Sequence, residues 1–266
     1  MSQGWKQFPK LIKNMYAAIR MITSVSDNLE PWVDLFDRGR FVGFRPHPSR
    51  PFLQTRLPRS GVCDDQFRAY MEKIASFFPD QDSKELIMSV PEMSLKLCTV
   101  FESIGTLCHS ILFRRLNVPV IAGDCRHSYR ASVLRTFEYS EVNAVCGLHA
   151  DLGLLTISPK ASSCGLKVLD PILNDWISID ESIRDNQLVL FAGELMGELS
   201  EGAIRPCLHA AFSPESRISM PFFYRLEPDT KPFTGNQRTY EEYVHRVLYD
   251  KRHWRLPTFQ SPNPDF

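Results

Sequence analysis

In the stretch GLHADLGLLTIS, Gly147–Ser158, an imidazole and a carboxylate stand two residues apart, His149 and Asp151. In an extended strand, residues i and i+2 point to the same face, so the pair projects together with Ala150 turned away. Two such donors can share one metal ion. A set of two histidines and one carboxylate suits non-haem iron(II) and leaves three coordination positions open. The missing donor would be His209, in CLHAAFS, 60 positions after His149. The remaining histidines fit less well: His47 lies in a Pro-rich segment, His109 in a helical run, His127 before the strands, and His245 and His253 in a C-terminal helical run. Taken alone, an H-x-D triplet also has a plain reading, as a turn aspartate beside a core histidine.

Eight residues past His209 comes RISMPFFY, in which Arg217 and Ser219 again share a strand face. The rest of the run is apolar: Ile218, Met220, Phe222 and Phe223. An arginine on the inward side of such a strand requires an anion. Its planar fork matches a carboxylate through two parallel hydrogen bonds, and a serine hydroxyl can add a third. The plainer alternative has Ser219 facing solvent and Arg217 paired with Glu215.

These residues must be carried by a scaffold, and the apolar spacing outlines one. Residues 5–40 contain a helix, with Phe8, Leu11, Ile12, Met15, Ile19 and Ile22 at helical spacing. FRPHPSRPFLQTRLPRSG (44–61), rich in Pro and Arg, reads as an extended surface loop. A short helix follows near 65–78. PEMSLKLCTVFESIGTLCHSILFRRLN gives the clearest helix, with a broad apolar stripe from Met93 to Ile111, Pro91 in its first turn and Asn117 as its stop. From residue 130 the pattern changes to short strands about every ten residues, as in a sandwich or barrel. A helix at 238–254 closes the chain. The fold class is α+β. The 266 residues form a single domain: a mainly helical region (1–125), a strand-built core (130–228), and a C-terminal helix and tail (236–266).

Composition narrows the function. Basic and acidic residues number 31 each, so there is no general positive field for nucleic acid. No apolar window of bilayer length is evident, so no membrane partner is expected. The seven cysteines are odd in number and contain no C-x-x-C, which favours reduced thiols in a cytosolic or nuclear compartment over a cysteine zinc site. The oligomeric state is left open.

The combination of H-x-D, a distant His, and R-x-S soon after it resembles the iron(II)/2-oxoglutarate-dependent oxygenases, and within them the isopenicillin N synthase-like branch. GLHADLGLLTI is similar to that branch's first ligand strand, GLKVLDPILNDWISID to its G-L-Q-V…W-x-x-V hairpin, and ESRISMPFFYRLEPD to its R-x-S-x-x-F-F strand. The likeness covers about residues 130–250. It implies a double-stranded β-helix (a jelly-roll, cupin-like core) with helices before and after it. It also implies Fe(II), 2-oxoglutarate and O2 as cofactor and cosubstrates, and a small-molecule substrate that is hydroxylated or desaturated as succinate and CO2 leave. By position, His149, Asp151 and His209 would be the iron ligands. Arg217 and Ser219 would hold the far carboxylate of 2-oxoglutarate, and Tyr139 would hydrogen-bond the cosubstrate or the substrate. Leu148, Phe137, Met196 and Phe222 are candidates for apolar walls.

The chain departs from the plant members of that branch in several places. Phe137 and Glu138 stand where those members have Asn and Tyr, and Ala210 replaces the Arg after the second histidine. No opening strand of the branch's type is found in residues 1–90. Three other readings stay open at this point: an iron oxidase of the same fold that does not use 2-oxoglutarate, a non-catalytic ligand-binding relative, and a zinc site.

Overall fold

The computed structural model describes residues 3–26, 43–45, 47, 50–116, 128–139, 144–213, 215–233 and 238–249. Helix α1 (Gln3–Ser24) is followed by strands β1 (Gly43–Arg45) and β2 (Phe52–Thr55), then α2 (Asp65–Ala75), α3 (Gln81–Met88) and α4 (Val90–Leu116). The strand region runs β3 (Val133–Tyr139), β4 (Ala144–His149), β5 (Leu155–Pro159), β6 (Leu166–Asp170), β7 (Asp175–Ser178) and β8 (Leu188–Ala192). After the short α5 (Glu194–Leu199) come β9 (His209–Ser213), β10 (Arg217–Ser219), β11 (Phe222–Tyr224) and α6 (Tyr240–Tyr249). Asn117, His127 and residues 250–254 of the expected closing helix lie outside the described residues.

The strands form two antiparallel sheets. The larger has the order β1-β2-β3-β11-β5-β8, with β10 also on β3, and the smaller has the order β4-β9-β6-β7. Strands β10 and β11 are the two halves of RISMPFFY, interrupted at Met220-Pro221, and both pair with β3. Pro221 has no N–H to give, but its carbonyl accepts a 3.0 Å bond from the Arg135 amide, so the ladder continues across the break.

The pleat of β3 divides the protein into two sides. Leu134, Ile218 and Phe222 belong to the main apolar core. There the Phe222 ring lies 5.5 Å from Phe101 of α4, whose ring lies 5.7 Å from Phe8 of α1. The alternate residues Arg135, Phe137 and Tyr139, with Arg217, Ser219 and Phe223 opposite or beside them, face a cavity between the sheets. The helix-side core is closely approached: a Cβ at Gly105 of α4 would lie 2.3 Å from the Tyr224 ring, so a side chain there would push the helix off the sheet.

Several expectations are corrected. The Pro- and Arg-rich segment 44–61 is not a surface loop. It holds the β1–β2 hairpin, and β2 adds to β3 with all four of its residues buried. Pro51 and Pro58 flank β2 rather than interrupt it, so composition misled where pairing decided. The region 1–125 therefore supplies two strands to the larger sheet. Helices α3 and α5 go beyond the sequence expectation. The α4 stripe is buried through Met93, Leu97 and Phe101, but Leu107 and Ile111 are exposed. The run Gln81–Leu116 is long and apolar enough, by length and composition alone, to cross a membrane, a test that a core helix also passes, and its Met93, Leu97 and Phe101 pack in the core.

Candidate metal centre

His149 is the last residue of β4 and His209 the first of β9, and the two are register partners across that ladder. The register shifts between Cys146 and His149, an irregularity that re-aims the end of β4. Asp151 is not on the strand with His149, as the i, i+2 argument assumed. It lies in the connection to β5, and the turn of that connection brings its carboxylate back to the histidines. His149 Nε2 is 3.5 Å from Asp151 Oδ1, and His209 Nε2 is 3.8 Å from Asp151 Oδ2. One donor atom from each of the three lies within 4.8 Å of the others.

The surroundings prepare these atoms for a metal. Nδ1 of His149 is 2.7 Å from the Gly147 carbonyl, and Nδ1 of His209 is 3.0 Å from the Cys207 carbonyl. A carbonyl can only accept, so each Nδ1 carries the hydrogen and each Nε2 is the free coordinating nitrogen. The Thr156 hydroxyl donates to Asp151 Oδ2 at 2.5 Å, orienting the carboxylate. The Asp151 loop is held from behind, where the Glu194 amide donates to the Asp151 carbonyl at 2.7 Å. At the preceding Gly193, a Cβ would sit 2.2 Å from the Gly153 carbonyl oxygen and 2.6 Å from that of Asp151.

Without a metal the three groups charge one another. Burial disfavours the His149 cation, but hydrogen bonds to Asp151 and Cys146 outweigh it and push its pKa up to about 10. Burial lowers that of His209. For Asp151, burial acts upward and is overcome by the hydrogen bond from His149 and the charge of His209, leaving its carboxyl below the ordinary value. Two imidazoles and a carboxylate in this arrangement fit a divalent ion of the iron type.

The triad opens on a cavity of about 430 Å³ that also receives Arg217, Ser219 and Tyr139. Arg217 is 2% exposed and does not pair with Glu215 at the surface. Its Nη2 donates to Asp180 Oδ2 at 3.0 Å and its Nε to the Ser163 carbonyl at 3.2 Å. Its Nη1 is buried with no hydrogen-bond partner among the described residues. A buried guanidinium N–H is costly to leave unpaired, so this atom marks the place of an acceptor, as a carboxylate ligand would supply. The Arg217 Cζ lies 5.4 Å over the Tyr139 ring, which its strand partnership with Tyr139 explains.

Of the four apolar residues proposed as walls, Phe137 lines the cavity. Met196 and Phe222 are buried in the main core instead, and Leu148 does not line the cavity. Phe191 and Phe223 do so. Sequence reasoning also missed Asp180, Thr156 and three further cavity arginines, Arg50, Arg135 and Arg225. The alternation of β3 back from Tyr139 to Arg135 was the available signal for one of them.

Residues 130–226 match the family model of the 2OG-Fe(II) oxygenase superfamily, which includes the branch that the sequence resembles. The match spans the strand-built part of the chain, and enzymes of that superfamily are dioxygenases using Fe(II), 2-oxoglutarate and O2. Solved structures agree in fold. A rice dioxygenase for auxin oxidation is 18% identical, covering 90% of this chain and 81% of its own, with a TM-score of 0.57. A Neurospora crassa protein, solved at full length with alpha-KG and 5-formyluracil, is 16% identical, covering 90% and 82%, with a TM-score of 0.58. The dioxygenase for auxin oxidation 1 from Arabidopsis thaliana, in its 2-oxoglutarate complex, is 18% identical, covering 83% and 80%, with a TM-score of 0.51. A search of curated protein sequences finds no match. The fold is thus the jelly-roll of these oxygenases, with antiparallel sheets flanked by helices at both ends and no closed barrel.

Proposed function

We propose that this chain oxidises a small organic substrate, by hydroxylation or desaturation, with His149, Asp151 and His209 as the iron ligands and Arg217 and Ser219 as the anchor for 2-oxoglutarate. The observation that carries the reading is that a prepared donor triad and Arg217, a buried arginine with one nitrogen lacking a partner among the described residues, line one cavity. When bound, Fe(II), 2-oxoglutarate and O2 supply an oxidant for a substrate C–H bond while the keto acid is decarboxylated to succinate. The chain's own residues orient and exclude. The two Nδ1–H groups hold the imidazoles with Nε2 toward the ion. Thr156 directs the carboxylate. Asp180 and the Ser163 carbonyl hold two of the three Arg217 nitrogens, so that the last one meets the cosubstrate. Tyr139, with its ring under Arg217, closes that end, and the Phe137, Phe191 and Phe223 walls keep water from the reacting carbon.

The rice neighbour, a dioxygenase for auxin oxidation, and the Neurospora neighbour, held with 5-formyluracil, support a substrate of small size. The test is anaerobic. Fe(II) and then 2-oxoglutarate are added to metal-free protein and the visible spectrum is recorded. A weak charge-transfer band that requires both, and is lost in His209→Ala, is the expected result. Iron binding without a band would overturn the 2-oxoglutarate assignment in favour of an oxidase.

A further inference from the structure

Besides Arg217, the cavity is lined by Arg50, Arg135 and Arg225, and the only carboxylate among the described residues that lines it is Asp151. Asp151 belongs to the metal triad, and Arg217 already has Asp180. None of Arg50, Arg135 and Arg225 makes an ion pair with a described residue. With the Asp151 carboxylate counted, a divalent ion and the dianion 2-oxoglutarate would leave one negative charge, so two of these three cations would remain unbalanced.

Arg135 is built as an anion receptor. Its Cζ lies 5.1 Å from the Phe52 ring centroid and 5.5 Å from that of Phe223, so two aromatic rings set its plane. Its Nε donates to Gln54 Oε1 at 2.7 Å, and Gln54 is its register partner on β2. Neither Nη of Arg135 has a partner among the described residues. Held at the Nε edge, the fork offers two parallel N–H donors, the geometry of a carboxylate. Arg225 follows β11 on the same face of the larger sheet, two residues after Phe223. The two cations feel each other. Burial, first, and then the charge of Arg225, partly opposed by Asp151 and joined by Arg45 and Arg50, pull Arg135 down to about 10. Like charges gathered in a partly desolvated cavity oppose folding unless a ligand supplies the counter-charge. Arg50 is engaged elsewhere, beside Tyr139 and Cys146 and with its Cζ 5.3 Å from the Phe137 ring centroid.

Resting on the oxygenase reading above, we propose that the substrate is an organic carboxylate, its anionic end held by Arg135 and Arg225 and its apolar body lying along Phe137, Phe191 and Phe223 toward the metal.

The test is calorimetry on the Fe(II)- and 2-oxoglutarate-loaded protein without O2, using benzoate, phenylacetate and hexanoate, each beside its primary amide. The amide keeps the shape and removes the charge. At least one acid is expected to bind about tenfold or more tighter than its amide, the equivalent of one charge-assisted hydrogen bond. In Arg135→Gln, and separately in Arg225→Gln, that preference should shrink to about threefold or less. Arg225→Gln serves if Arg135→Gln, which unseats two rings, does not fold. Equal binding of acid and amide, binding by none of the acids, or a preference that survives both substitutions overturns the proposal. So does a loss of 2-oxoglutarate rather than acid affinity in the variants, which would make the pair part of the cosubstrate site. The charge-transfer band is recorded on the same samples. Its absence overturns the oxygenase reading, whereas the acid–amide comparison judges the anion site whether or not the band forms.

Discussion

His149 and His209 are direct partners across the β4–β9 ladder, with ring centroids 4.3 Å apart, although 60 positions separate them in the chain. The smaller sheet thus brings the two imidazoles together, and the loop carrying Asp151 completes the set. Removing any of the three donors should abolish turnover, measured as succinate release. Fe(II) affinity should fall by more than the roughly 10–100-fold typical of losing an outer partner. Thr156→Val, which deletes only the hydroxyl on Asp151, should fall within that roughly 10–100-fold range in metal titration. Unchanged iron content in the Ala variants would remove the triad from the chemistry.

Arg217 and Asp180 are each about 3% exposed as side chains, and the pair is buried as a unit. Arg217→Met strands the Asp180 carboxylate, so chemical denaturation should show a loss of about 3–5 kcal/mol. The 2-oxoglutarate Kd should rise at least about tenfold, while the Fe(II) Kd holds. Adding Asp180→Asn should restore most of the stability and none of the cosubstrate affinity. That split separates an anchor from a structural ion pair, because a purely structural Arg217 would recover both.

Gly193 stands between β8 and α5 with the Gly153 and Asp151 carbonyls against it. Both are backbone atoms and cannot swing aside as a side-chain tip can. Gly193→Ala is expected to displace the Asp151 loop, lowering both Tm and iron affinity. A variant with wild-type metal titration would show that the loop is held by other contacts.

Glu102 on α4 has a buried Oε2 without a hydrogen-bond partner among the described residues, and burial raises its carboxyl above the ordinary value. A raised carboxyl stabilises fully below its unfolded pKa, about 4.3, and that contribution is lost as pH climbs through the folded value. Glu102→Gln lacks this loss. Its Tm relative to wild type should therefore rise between about pH 4 and pH 8. A Tm difference independent of pH would mean that the carboxylate is compensated when charged.

The strand content was legible from turn residues between short apolar runs, and the closeness of His149, Asp151 and His209 from donor types in strand-like runs, although His209 lies 60 positions on. The segment around Phe52–Thr55 was not, since its burial comes from pairing with β3, a partner about 80 positions away that local composition does not reveal. Asp151 was assigned for a reason that needed correction. Strand alternation put it beside His149, whereas a turn after the strand does so. The pairing of Arg217 with Asp180, 37 positions apart, could not be read because it depends on how the sheets close. Phe222 and Phe137 show the same limit at smaller scale. Both are aromatic strand residues, and only the register tells that one meets α4 and the other the cavity.

The pleat of β3 has a consequence for how such a chain could diversify. Leu134 and Glu138 meet the helix side, whereas Arg135, Phe137 and Tyr139 meet the ligand space, so the two rows answer to different demands. Exchanges at 135, 137 or 139 can re-tailor what enters the cavity while 134 and 138 keep the helices seated. A slip of one position would swap the rows and forfeit both, so descendants of this chain are free to change diet but not to change step.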